Sequence, residues 1–190
     1  MSNASYLLAL DVDTPVADLS NASCLRTGWD MVPPIWLACF RVSDLTAVSV
    51  PVQRSSGEQS TIRLEMLCAP KQQALTSLRA FHLAIRSCAR IRADVDPCID
   101  VLTDAIERSA ARTLQLHDVE IQLMVGPEDN RPWMVECLTF LGEIATGTVV
   151  GDAILSDPRA LEIFDQAKIL LPDWACELDW EEALIGMPCG

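Results

Sequence analysis

Glycine and histidine are scarce in this chain, with eight and two copies among 190 residues, and the loops that depend on them are missing. There is no Gly-x-Gly-x-x-Gly fingerprint, no phosphate-cradling P-loop and no Gly-x-Ser-x-Gly nucleophile elbow, so three common routes to nucleotide or acyl chemistry are absent. The eight cysteines include no C-x-x-C pair. With only His82 and His117 as imidazoles, the ligand spacing of a structural zinc site is also lacking, and no metal or cofactor is expected. No apolar run approaches the roughly 20 residues that span a bilayer. No basic stretch precedes an apolar core at the N-terminus, so a signal peptide is not expected either. The cysteines therefore read as reduced, mostly buried thiols of a cytoplasmic protein, and the two Asn-Ala-Ser sequons carry no weight.

Half of the residues are hydrophobic and 22% are charged, a balance that supports a packed core rather than disorder. Residues 1–190 are expected to form a single domain. The net charge is −13 and unevenly placed. From Glu128 onward there are thirteen acidic residues against three basic ones (Arg131, Arg159, Lys168), whereas the first 127 residues hold fourteen against eleven. Nucleic acid and anionic membrane surfaces are unsuitable partners for such a chain, because both require concentrated positive charge.

Periodicity outlines the elements. Tyr6–Val12 reads as a buried strand, residues 14–33 as an irregular connection, and Pro34–Arg41 as a helix start. Thr46–Val52 and Thr61–Leu67 alternate as a hairpin. Ala74, Leu78, Phe81, Ile85 and Cys88 share one face of a helix expected between Lys71 and Arg92. Asp96-Pro97 opens another, with Asp96 as its cap, a buried stripe of Ile99, Leu102, Ile106 and Ala110, and an Asp104–Arg108 pair on its wet side. Val119–Val125 and Trp133–Cys137 are expected as a second hairpin. Asp157-Pro158 starts a helix with Ala160, Ile163, Phe164, Ala167 and Leu171 as its stripe, and Asp173 caps a last one. The fold class expected is α+β, a small and mostly antiparallel sheet of hairpins packed against several amphipathic helices.

Two constellations carry possible chemistry. Leu8-Ala9-Leu10-Asp11-Val12-Asp13 is a strand ending in Asp-x-Asp, and it resembles the first motif of the haloacid dehalogenase-like phosphohydrolases. Gly151-Asp152 echoes that family's magnesium-binding segment. The resemblance implies Mg²⁺ held by Asp11, Asp13, Asp152 and Asp157, the hard oxygen ligands this ion prefers. Pro15 departs from the motif, no lysine lies where the family has one, and Asp157 also fits a helix cap. The second constellation is the acidic segment with two tryptophans at residues 173–182. Asp173, Trp174, Glu177, Asp179, Trp180, Glu181 and Glu182 combine aromatic anchors with a steering field for a basic partner. A solvated helix face with Trp174 turned into the core is the plainer reading. Arg79, His82, Arg86 and Arg90 form a basic ridge, suited either to an acidic partner, to the acidic C-terminal segment of the same chain, or to an ordinary wet face. His117 reads as an exposed turn residue.

Ser5–Leu10, Trp29-Asp30-Met31-Val32-Pro33, Val135-Glu136-Cys137 and Gly142-Glu143-Ile144 are similar to features of small cytosolic immunity proteins encoded beside polymorphic or secreted antibacterial toxins. That resemblance implies no enzyme activity. It implies instead a partner protein, a toxin domain, whose active site is plugged. Nuclease toxins are often basic, because they bind phosphate backbones, and an acidic chain is the physical complement of such a toxin.

Overall fold

The computed structural model describes residues 4–13, 15–16, 22–29, 32–53, 57, 59–88, 95–160, 163 and 187–189. Its strands are β1 (Ala4–Leu10), β2 (Ser23–Trp29), β3 (Leu45–Gln53), β4 (Gln59–Pro70), β5 (Thr113–His117) and β6 (Met187–Pro188). They form one sheet in the order β3-β4-β5-β1-β2-β6, and every pairing is antiparallel. The helices are α1 (Pro34–Leu37), α2 (Lys71–Ile85), α3 (Val95–Arg108), α4 (Val119–Val125), α5 (Pro127–Ala145), α6 (Asp152–Ser156) and α7 (Pro158–Ala160). The fold is α+β.

The period of two decides which face of the sheet is buried. Leu67, Leu116 and Leu7 stand opposite one another across β4, β5 and β1, and Ala69, Leu114 and Ala9 form the next row. Both rows join the main core with Leu78, Phe81, Ile99, Leu102, Leu141 and Ile144. Each fully buried leucine in such a layer contributes roughly 1.5–3 kcal/mol. The alternate residues face the other way, where Leu64, Met66 and Val50 pack on Val119 of α4 as a smaller cluster. Gly57, at φ +82°, lies in the β3–β4 connection, in a backbone region that residues with a Cβ rarely enter.

The β3–β4 hairpin forms where alternation predicts it. The apolar stripe of α2 is buried as expected, although the helix ends at Ile85. The α3 stripe is buried apart from Ala110, which lies beyond the helix and is exposed. Lys71 closes that end of α3, its Nζ donating to the carbonyls of Glu107 (2.9 Å) and Ser109 (2.6 Å). These are two of the acceptors that a helix C-terminus leaves open.

Two expectations are corrected, and one strand is added. Residues 14–33 are not wholly irregular, because Ser23–Trp29 is β2. Thr113–His117, all of it buried, is the strand that joins the two halves of the sheet. The proposed hairpin of Val119–Val125 and Trp133–Cys137 is instead the helix pair α4–α5. Gly126, at φ +104°, ends α4, and Pro127 stands at the first turn of α5, where its fixed φ and missing N–H suit a helix start. Met134, Cys137, Leu138, Leu141 and Ile144 then recur at helical spacing on the buried face.

Candidate functional site

Of the basic ridge, Arg79, His82 and Arg86 lie on α2, or at its end, against α3. Arg79 pairs with Glu107. Arg86 Nε donates to Asp96 Oδ2 at 3.0 Å, and His82 Nε2 lies 2.8 Å from Asp96 Oδ1. His82 Nδ1 is 3.9 Å from Asp100 Oδ1. His82 is therefore not part of an ordinary wet face but buried, 8% exposed, and held by carboxylates of the next helix. Asp96 lies inside the first turn of α3, and its carboxylate serves this cluster. Burial pushes the Asp96 carboxyl up, but hydrogen bonds from His82 and Arg86, aided by their charge, outweigh it and hold it below the ordinary value. The ridge is thus matched by α3. Arg90 lies outside the described residues.

Asp173, Trp174, Glu177, Asp179, Trp180, Glu181 and Glu182 all lie outside the described residues, as do Phe164, Ala167 and Leu171. Two of the three basic residues in the acidic third are described. Arg131 Nε meets Glu65 Oε2 at 2.6 Å, and Arg159 reaches both Glu143 and Asp157 at 2.7 Å. Asp157 also accepts the Arg159 backbone N–H at 2.9 Å, the cap expected before Pro158. Hydrogen bonds from Arg159 hold the Asp157 carboxyl below its ordinary value against the effect of burial.

Asp11 and Asp13 stand exposed just past β1. Among the described residues, no group of three or more His, Cys, Asp or Glu side chains is placed to hold a metal ion. His117 is buried at the end of β5 rather than exposed in a turn. Its neighbour Asp118 is 1% exposed. Asp118 Oδ1 accepts from Gln122 Nε2 at 2.7 Å, while Oδ2 has no hydrogen-bond partner. Burial pushes this carboxyl up to about 7, against the pull of the Gln122 hydrogen bond.

The cysteines divide. Cys24 and Cys189 form a disulfide, with Cα atoms 5.8 Å apart, which corrects the expectation of reduced thiols for this pair. Cys39, Cys68, Cys88, Cys98 and Cys137 are free thiols. Burial raises Cys39 to about 12. Burial, reinforced by Asp44 and Asp13, raises Cys68 to about 11. Neither is an activated nucleophile at neutral pH.

Among the described residues, two concave surfaces stand out. A cleft of about 580 Å³ opens between α2, α5 and the turn after α1, floored by Phe40, Leu138 and Leu141, with Gly142 and Arg41 also lining it. The α5 part of this cleft is invisible to a reading that takes Trp133–Cys137 as a strand. The signal for it is Gly142, a glycine in the last turn of α5. A smaller hollow of about 240 Å³ is lined by Leu45 and Met134 together with Arg63, Glu65, Gln122, Asn130 and Arg131.

No family model, curated protein or solved structure matches the chain. Among the described residues, no helix is long and apolar enough to cross a membrane.

Proposed function

We propose that this is a cytoplasmic immunity protein. It binds a basic toxin domain through the acidic segment at residues 173–182, occludes the toxin's active site and performs no chemistry itself. One observation supports this reading above others: several described cations are already paired with described carboxylates. Arg79 and Arg86 are matched by α3, Arg131 by Glu65, and Arg159 by Asp157 and Glu143. By sequence, the thirteen acidic residues from Glu128 onward outnumber the three basic ones by ten. A field of that sign accelerates encounter with a basic protein, and Trp174 and Trp180 supply apolar anchors after contact.

The test is the triple variant Asp179→Lys, Glu181→Lys and Glu182→Lys, measured against a basic toxin domain encoded beside the gene. Association at low ionic strength should slow by roughly tenfold or more, and its salt dependence should flatten. Unchanged association rates across a salt series would remove the segment from the interface.

A further inference from the structure

We propose that the cleft between α2 and α5 is a binding site for a small aliphatic carboxylate, with Arg41 taking the carboxylate and the cleft floor taking the chain. This inference is independent of the toxin-binding reading. A basic toxin would bring like charge toward Arg41, so the two surfaces suit different ligands.

The walls are apolar because their polar groups are already used. Thr76, Thr139 and Thr146 hydroxyls donate back to the carbonyls of Gln72 (2.7 Å), Val135 (2.7 Å) and Gly142 (2.9 Å), one turn earlier. Their methyl groups are the parts left to contact a ligand. Glu143 also borders the cleft, but Arg159 neutralises its carboxylate at 2.7 Å. A volume of about 580 Å³ lies within the range of small-molecule sites.

Gly142 is the second observation. Gly142 lies in the last turn of α5, and glycine in a helix costs up to about 1 kcal/mol relative to alanine. Among the described residues, a Cβ built at Gly142 would meet nothing within 4 Å, so neither the backbone nor their packing requires a glycine there. The side chain it lacks would stand at the cleft wall. The glycine therefore keeps the cleft open at a cost in helix stability, which suits a slot that receives something else.

Arg41 gives the ligand its charge. Its backbone N–H is fixed to Asp44 Oδ2 at 2.8 Å, and Asp44 is itself held by Gln73 at 2.8 and 3.0 Å. Its Nε faces the hydroxyl of Ser77 at 3.4 Å, and Ser77, only 7% exposed, also lines the cleft. Among the described residues no carboxylate pairs with the Arg41 guanidinium. A fixed backbone and an open guanidinium edge beside an apolar slot match a carboxylate carrying an aliphatic chain, since arginine binds carboxylates through paired N–H donors.

Calorimetric titration of the full chain with sodium dodecanoate, below its micellar concentration, and with dodecanol tests the assignment. Saturable binding of one dodecanoate per chain is expected. Gly142→Leu should weaken it at least tenfold while leaving thermal stability equal or higher, and Ala80→Leu, which fills the opposite wall, should do the same if the first variant fails to fold. Arg41→Gln should weaken dodecanoate about tenfold and leave dodecanol unchanged. Absence of saturable binding, indifference to both filling variants, or equal loss for acid and alcohol in Arg41→Gln would each overturn the proposal. So would a wild-type dimer, seen by sedimentation, that Gly142→Leu converts to monomer, because the cleft would then be a self-contact.

Discussion

At the residue scale, Asp118 couples the fold to pH. Its folded value near 7 lies above that of an unfolded aspartate, about 3.9, because burial disfavours the charged form. Between those values the folded chain holds a proton that the unfolded chain has released, so stability falls as pH rises and levels off above about 7. Urea unfolding should therefore show a loss on the order of a few kcal/mol between pH 5 and pH 8. Asp118→Asn, which keeps the shape without the charge, should flatten that slope; an unchanged slope would mean that Asp118 is solvated. The thiols follow the same logic of burial. At pH 8, Cys39 and Cys68 should alkylate far more slowly than a free peptide thiol, by roughly a hundredfold or more, in mass-spectrometric time courses. None of these environments is visible in sequence. His82 sits at a position that a helical wheel assigns to solvent, and only the approach of Asp96 from another helix buries it.

At the scale of elements, long periodic segments were legible and short ones were not. The α2 and α3 stripes and the β3–β4 alternation each run long enough to separate a period of 3.6 from a period of 2. Val119–Val125 spans only seven residues, and its apolar residues alternate at Val119, Ile121, Leu123 and Val125, the period of a strand, although the segment is a helix. The α5 signal was present but began beyond the Pro127 and Pro132 pair, and it needed Leu138, Leu141 and Ile144 to declare itself. Strand β5 escaped notice because Gln115, buried among leucines, breaks its apolar character. Its amide explains why it is there: Oε1 accepts the Val16 N–H at 2.8 Å and Nε2 donates to the Val16 carbonyl at 2.7 Å. One side chain thus supplies the two hydrogen bonds of a strand partner and pins the β1–β2 connection to the sheet. Gln115→Leu should lower stability by about 1–3 kcal/mol, because both Val16 groups lose their partner. Amide hydrogen exchange should locate the change at Val16, and protection that survives there would show that another group holds the connection.

At the scale of the whole molecule, the order of elements was enough for the fold class, whereas the sheet order β3-β4-β5-β1-β2-β6 depends on pairings between residues more than 100 apart and left no local trace. The same holds for the chain's last strand. β6 pairs with β2 through Arg26–Pro188 and Thr27–Met187 alone, a ladder too short to persist unaided. The Cys24–Cys189 disulfide, spanning 165 positions, ties it down. Closing so long a loop restricts the unfolded chain, and removing such a bridge typically costs about 2–5 kcal/mol. Cys189→Ser, or wild-type protein under dithiothreitol, should unfold at correspondingly lower urea than the oxidised form, and the variant should no longer respond to reductant. The location proposed for the protein bears on which form exists in the cell, because the cytoplasm keeps ordinary thiols reduced. Acid-quenched alkylation of intact cells should then label Cys24 and Cys189 as free thiols, with the bridge forming only after lysis in air. A bridge already closed in quenched cells would place the working protein in an oxidising compartment, and the immunity reading would have to move there with it.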